Sequence, residues 1–474
     1  MTYLIGLDIG TSAIKGVLIS SEGKIVSREQ SKTQIEILKD GQMQFDADDL
    51  YRLVTTVIRG LIQLLPAGAS VAGISISSAS GNTLLVDQEG KPMTPVFSWM
   101  DTRVKDEIAT VFGKLDEEEV HRLIGWPLLN TFPLAHLSWL KCHQPQLLQQ
   151  AARVCMSTDY ILYRLTGKWG IDSSTATTFY LQDQSSSSWH LPYLQQLGID
   201  IEKLPVIHKP GKKLGQILPE AAKETGLSTK AAVILGSFDH PSAARGAGVL
   251  DAGQLLLSCG TSWVGFYPLL ERETAIGQKL LTDPFLQPEG AWGGMFSLPA
   301  IAASVDKFVC QYISDASDRN EQFSKLAAAA DAGAGGLMIH PLLECDNSAL
   351  EGRDPAHIAR ALMEGTAYLL RMKLEQLQHA GLPAHTITMV GGPSETFPWP
   401  QIVADVISNE LHIVNGSCAG AVGSAILAGI GIGLYKDERD AWQRAAFDRT
   451  TRTPNKEVTQ KYEELYRKFL AKYN

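Results

Sequence analysis

The chain lacks the signatures that sort most proteins into familiar classes. It contains no GxxxxGK[ST] stretch and no strict GxGxxG, so neither a P-loop nor a Rossmann turn is available to grip a phosphate. Its six cysteines are scattered at 142, 155, 259, 310, 345 and 418, with no CxxC and no Cys/His cluster. That excludes a zinc site and a disulfide frame, and they read as reduced thiols. Positive charge is in deficit: 42 Lys and Arg face 51 Asp and Glu, for a net charge of −9. A nucleic acid or an anionic membrane is therefore not an expected partner. No apolar run reaches the ~20 residues needed to span a bilayer. The most membrane-like run, Gly420 to Tyr435, is rich in Gly and Ala and reads as a buried helix. The N-terminus enters a strand at once, without a basic segment leading into a long apolar one. No signal peptide is expected, and the expected location is cytoplasmic.

What is present is an ordinary globular balance, 45% apolar and 20% charged, over 474 residues. That length exceeds one core and predicts two domains of roughly 200–250 residues each. The boundary is placed near residue 246, giving domains 1–246 and 247–474 in an α/β fold. Apolar spacing predicts a helix over Asp46 to Leu65, with Leu50, Leu53, Val54, Val57, Ile58 and Leu61 on one face and acids at its start. Val71–Ser77 and Ala232–Gly236 read as buried strands. Residues 104–170 read as mostly helical, and the tail from Lys436 to Asn474 as a packed terminal helix.

One short pattern occurs twice. Leu4-Ile5-Gly6-Leu7-Asp8-Ile9-Gly10-Thr11-Ser12 and Leu255-Leu256-Leu257-Ser258-Cys259-Gly260-Thr261-Ser262 each read as a strand, a Gly-Thr-Ser turn and a returning strand. Glycine lets backbone approach a ligand closely, and hydroxyls with turn N–H groups suit phosphate oxygens. Either alone could be an ordinary hairpin; the pair suggests two similar domains serving one nucleotide. Asp8 stands before the first turn and Ser258 before the second, and an acid beside a phosphate cradle suits Mg²⁺.

Three further pieces carry chemistry. Asp239, in Gly236-Ser237-Phe238-Asp239-His240-Pro241, follows a strand and suits either catalysis or helix capping. Trp99-Met100-Asp101-Thr102-Arg103 offers an aromatic face with an acid and a base, suited to a hydroxyl-rich sugar or, equally, to a salt bridge beside a packed Trp. Val390-Gly391-Gly392-Pro393-Ser394, followed by a helix starting near Pro400, suits an adenosine pocket or a plain strand–turn–helix connection. The small residues Gly423-Ser424-Ala425 would supply part of that pocket's surface.

The order of these pieces resembles the FGGY family of carbohydrate kinases. The resemblance rests also on Thr166-Gly167 with Asp172 to Thr177, Arg360 to Gly365, Gln401-x-x-Ala404-Asp405 and Gly423-Ser424-Ala425. It implies two actin-like domains of the ribonuclease H type, with ATP and sugar in the cleft between them, and transfer of the γ-phosphate to a sugar or polyol hydroxyl. Residue by residue, it implies that Asp239 is the catalytic acid and that Asp8, with Asp239, is metal-associated. Thr11, Ser12 and Lys15 fall on the first phosphate loop, and Gly260, Thr261 and Ser262 on the second. Gly391, Gly392 and Gln401 match the adenosine region. Trp99, Asp101 and Arg103, with Ser80 and Asn82 nearby, match the sugar side. ATP and Mg²⁺ are the implied cofactors and a small carbohydrate the partner; a homodimer is compatible with the sequence.

Two departures stand out. Ser78-Ala79-Ser80-Gly81-Asn82 replaces a Met-His pair common in the family's pentulose kinases, which predicts a roomier, more polar pocket for a ketose, sugar acid or polyol. Leu343-Glu344-Cys345-Asp346-Asn347 replaces the family's Gly-Glu-Arg-x-Pro segment. Rival readings are a kinase-derived sugar sensor that no longer turns over and an actin-like or chaperone-type ATPase, which has no need for the Trp99–Arg103 strand end.

Overall fold

A computed structural model describes residues 2–260, 262–298, 301–313, 318–343, 350–445, 447 and 449–473. The chain forms two compact units, and neither is one continuous stretch. The first comprises Met1–Leu250, Leu269–Gly294 and Gly420–Phe447; the second comprises Asp251–Pro268, Met295–Ala419 and Asp448–Asn474.

The first unit is built on β1 (Thr2–Ile9), β2 (Ala13–Ser20), β3 (Ile25–Lys32), β4 (Ser70–Ser78), β5 (Lys213–Gln216) and β6 (Ala232–Phe238). Their order in the sheet is β5-β6-β4-β1-β2-β3. β1 runs parallel to β4 and antiparallel to β2, so Asp8 faces Ser77 on one side and Lys15 on the other. β6 is buried along its whole length, as expected of a strand paired on both sides and covered on both faces.

Helix α1 (Ala47–Ile62) covers the sheet with the face foreseen from its spacing: Leu50, Val54, Val57, Ile58 and Leu61 are buried with Tyr51, and Leu53 is partly buried at the edge of the core. Asp46 caps it by accepting the Asp49 N–H at 2.8 Å. Helix α2 (Ser157–Thr166) adds Ile161, Leu162 and Leu165 to the same core. Helix α3 (Asp239–Ala247) follows β6 directly.

The second unit contains the hairpin of β7 (Gln254–Cys259) and β8 (Trp263–Leu269). On the side away from β8, β7 runs parallel to β9 (Thr386–Gly391), which pairs in turn with β10 (Leu411–Val414). Helix α4 (Pro355–His379) carries a buried pair in which Arg360 Nε donates to Glu364 Oε1 at 2.8 Å. Tyr462 closes the network, its hydroxyl donating to Glu364 Oε1 at 2.7 Å while it accepts from Arg360 Nη2. Part of the motif read at Arg360 to Gly365 is therefore an internal brace that fixes the C-terminal segment.

The apolar stretch after residue 419 is helix α6 (Ala419–Gly431), following α5 (Trp399–Ile407). Within the first unit it lies against β1 and α3 at backbone distance. A Cβ on Gly6 would sit 1.8 Å from the Ala421 carbonyl oxygen, and one on Gly423 would sit 1.8 Å from that of Ser242. Ser424 Oγ donates to the Leu7 carbonyl at 3.0 Å and lies 3.2 Å from Ser242 Oγ. Gly423 and Ser424 therefore pack this helix against β1 and α3 instead of supplying surface to an adenosine pocket.

The charged tail is not one helix. It holds a short helix at Glu438–Arg444, an edge strand β11 (Arg449–Arg452) paired with β10, and helix α7 (Lys456–Tyr473). The sequence Arg449-Thr450-Thr451-Arg452 has no apolar alternation because the strand is exposed throughout, and pairing alone defines it.

Candidate active site

Asp8 and Asp239 belong to one recess of the first unit. β1 delivers Asp8 at its end, and its Oδ1 accepts the Ser77 hydroxyl at 3.1 Å. Burial pushes the Asp8 carboxyl up to about 6, and the nearby Asp239 carboxylate raises it, against the lowering pull of Lys15, Ser77 and His240. Asp239 opens α3, with 23% of its side chain exposed. Burial pushes it up to about 7, opposed by the hydrogen bond from the His240 N–H to Oδ1 at 2.8 Å. His240 is driven the other way by burial, down to about 4, and is neutral at physiological pH.

Helix capping is not what occupies Asp239. The N-cap of α3 is Phe238, and no side chain caps the helix. A carboxylate poised near 7 at the start of a helix is suited to take up a proton at neutral pH.

The floor of the recess is set by α6. A Cβ on Gly420 would lie 2.5 Å from Asp8 Oδ2, so only glycine leaves the carboxylate its place. The same helix touches the carriers of both acids, β1 and α3, and their spacing is thereby fixed.

The first Gly-Thr-Ser turn closes by Gly10 N–H donating to the Ala13 carbonyl at 3.0 Å. Ser12 at its tip is exposed; Thr11 and Lys15 are half-buried. Trp99 Nε1 donates to Thr11 Oγ1 at 3.3 Å, joining the phosphate turn to the expected sugar side. A cavity of about 290 Å³ adjoins them, lined by Thr11, Ala79, Asn82, Ser98, Trp99 and Ser157, with Asp49, Leu50, Arg52 and Leu53 of α1 on another wall.

The other residues of the expected sugar side are engaged elsewhere. Asp101 has no exposed surface: Oδ1 accepts Arg103 N–H at 3.0 Å, and Oδ2 accepts Met43 N–H at 3.2 Å and Arg103 Nη2 at 2.6 Å. Arg103 also donates to Gln44 Oε1 at 3.1 Å and lies over the Phe97 ring at 4.7 Å. The pair is a brace for the Trp99 turn. Ser80, 3% exposed, shares its hydroxyl with Ser78 Oγ at 2.9 Å. Asn82 lines the cavity while its Oδ1 accepts the Ser157 N–H at 2.8 Å.

In the second unit, Gly260 N–H donates to the Ser262 carbonyl at 3.2 Å, closing the second turn. Thr261 lies outside the described residues. Gly391 has φ +95° and would place a Cβ 2.1 Å from the Cys259 carbonyl oxygen, so glycine is required for β9 to end beside β7. Gln401 uses its amide N–H₂ on Asp405 Oδ1 at 2.9 Å and on the Thr453 carbonyl at 3.0 Å, securing α5 to the C-terminal segment.

Sequence reading missed a cavity of about 390 Å³ beside the loop after β9, lined by Asn320, Ser324, Lys325, Thr396 and Phe397. The available signal was Phe397, an aromatic in a Thr-Phe-Pro turn, which is 66% exposed.

Residues 3–246 match the N-terminal domain model of the FGGY family of carbohydrate kinases, and residues 255–432 match its C-terminal domain model. The chain belongs to the FGGY family of carbohydrate kinases. It is 27% identical to a xylulose kinase of Bacillus subtilis over 98% of this chain and 95% of that one. It is 26% identical to an autoinducer-2 kinase of Salmonella paratyphi A, over 99% and 94%. Among solved structures, a ligand-bound xylulose kinase of Lactobacillus acidophilus superposes with a TM-score of 0.85 at 22% identity, covering 99% of this chain and 97% of that one. Glycerol kinase of Plasmodium falciparum with ADP gives 0.82 at 17% identity, covering 100% and 98%.

The fold is thus the two-domain actin-like fold of FGGY kinases. The protein is a carbohydrate kinase that phosphorylates a small carbohydrate with ATP. Among the described residues no helix is long and apolar enough to cross a membrane.

Proposed function

We propose that this FGGY kinase phosphorylates a hydroxyl of a small ketose, sugar acid or polyol larger or more oxygenated than glycerol, with Asp239 as the base. The observation carrying this reading is the Asp8–Asp239 recess, where an acid with its pKa pushed up to about 7 stands in the same unit as the Thr11–Trp99 contact. Asp239 takes the proton from the attacking hydroxyl. Thr11, Ser12 and Lys15 are assigned to the first phosphate loop, and Gly260, Thr261 and Ser262 to the second.

The sugar stands beside Trp99 and Asn82, next to the cavity of about 290 Å³. Gly391 and Gly392 serve the adenosine, with Phe397 as an additional face. The kinase domains are read as 1–246 and 247–474 and the location as cytoplasmic, and a homodimer is compatible with this reading.

Two partly exposed carboxylates offer hard oxygen donors of the kind Mg²⁺ accepts alongside phosphate oxygens. Asp8 and Asp239 would hold that ion, which would supply charge neutralisation at the transferring phosphoryl group. Phosphoryl transfer needs little covalent help beyond positioning and charge neutralisation. Retention of both acids in one recess favours a working kinase over a sugar sensor.

The deciding experiment is coupled ADP release across pentuloses, hexuloses, glycerol, erythritol and aldonic acids. One of the larger substrates should give the highest kcat/KM, and Asn82→Ala should reduce the selectivity. Glycerol as best substrate, or selectivity indifferent to Asn82→Ala, refutes the pocket assignment.

A further inference from the structure

Behind the Asp239 turn lies a buried relay that begins in a stretch distant in sequence. Asp283, fully buried, ends the short strand Leu281–Asp283. Its Oδ2 accepts the Ser174 hydroxyl at 2.6 Å, and Ser174 Oγ accepts the Phe238 N–H at 3.1 Å. Phe238 immediately precedes Asp239. The pairing of β6 with β4 shifts register between Leu235 and Phe238, so the strand leaves a regular ladder just where the acid must be aimed. A backbone N–H at such a point needs a partner from elsewhere, and Ser174 provides it.

The same short strand also reaches Phe238 through an aromatic contact. The Thr282 carbonyl accepts Trp126 Nε1 at 2.8 Å, and the Trp126 ring meets the Phe238 ring edge-on at 5.6 Å. Thr282 is itself held by donating to the Gly125 carbonyl at 2.9 Å. Arg245, on α3, donates to Ser237 Oγ at 3.3 Å and to the Phe285 carbonyl, and it pairs with Glu438 at 2.9 Å. The turn bearing Asp239 is thus clamped from both sides by residues 281–285 and their partners.

Asp283 Oδ1 is buried without a hydrogen-bond partner. A half-satisfied buried carboxyl costs stability, so its presence calls for a reason other than folding.

We propose that Asp283, acting through Ser174, is a positioning residue that holds the Phe238 N–H and thereby aims the Asp239 carboxylate at the acceptor hydroxyl. The inference rests on Asp239 being the base.

The test compares Ser174→Ala, Asp283→Ala and Asp283→Asn in the full-length enzyme. A displacement of order 1 Å at a catalytic group costs about 10²-fold in rate. Both alanine variants should accordingly lose about 10- to 100-fold in kcat. Calorimetric Kd values for a non-hydrolysable ATP analogue and for the best sugar should stay within about threefold. Asp283→Asn keeps an acceptor oxygen for Ser174 and should return kcat to within about threefold of wild type.

Wild-type kcat in the alanine variants overturns the proposal. So does an Asp283→Asn variant no better than Asp283→Ala, or a loss of ligand affinity parallel to the loss of kcat. Where Asp283→Ala does not fold, Ser174→Ala decides by the same split between kcat and Kd. Full activity in Asp239→Asn would instead remove the base, a result separate from failure of the relay.

Discussion

Asp239→Asn should make the enzyme slower and the protein more stable, and the two effects can be measured separately. The variant removes the proton acceptor while keeping an oxygen that can accept the His240 N–H. Loss of a positioned acid–base group lowers kcat by roughly 10²–10⁴-fold. The stability effect follows from burial, which raises this carboxyl from 3.8 to about 7. Below about pH 4 the group is protonated in both folded and unfolded chains and costs nothing. Between about pH 4 and 7 the folded state holds a proton that the unfolded state releases, so stability falls as pH rises.

Above about pH 7 the penalty is complete. At about 1.36 kcal/mol per pH unit it amounts to about 4 kcal/mol. With 23% of the side chain open to solvent, screening reduces this to about 2–4 kcal/mol. Asparagine carries no charge and escapes it. In buffer with EDTA, thermal and urea unfolding should show Asp239→Asn more stable than wild type at pH 8, with roughly half that margin at pH 5.5. A variant with wild-type kcat, or one no more stable than wild type at pH 8, would refute the reasoning.

Three other outcomes are expected. Asp8→Ala should raise the Mg²⁺ concentration needed for half-maximal rate and slow transfer in a soluble, folded protein; residual activity with unchanged Mg²⁺ dependence would make the residue structural. Arg103→Ala leaves the fully buried Asp101 without its ion pair, and loss of one partner of a buried pair costs about 3–5 kcal/mol, readable by urea denaturation, whereas wild-type stability would disprove the brace. Gly420→Ala forces a methyl to 2.5 Å from Asp8 Oδ2 and should lower kcat and cost about 1–3 kcal/mol, with unaltered kinetics counting against the packing of α6 on the recess.

Much of this protein is local and could be read from the chain. The Gly10-Thr11-Ser12 turn, the acid ending β1 and the apolar face of α1 each depend on residues within a few positions of one another, and local spacing suffices to specify them. Asp101 and Arg103 show the limit even at short range. Two residues apart in sequence, they suit either a sugar or each other, and the Met43 N–H on Asp101 and the Phe97 ring beneath Arg103 are contacts that only the fold supplies.

The edge strand Arg449–Arg452 was illegible because a fully exposed strand carries no apolar period and takes its form from the neighbour it pairs with. The contact of Gly420 with Asp8, the use of Gly423 and Ser424 for packing, and the path from Asp283 through Ser174 to Phe238 join residues that are far apart in the chain. Sequence determined which groups could do chemistry, because that is a property of residue type and near neighbours. Tertiary structure decided which distant groups each of those side chains meets, because segments far apart in the chain come together only through packing.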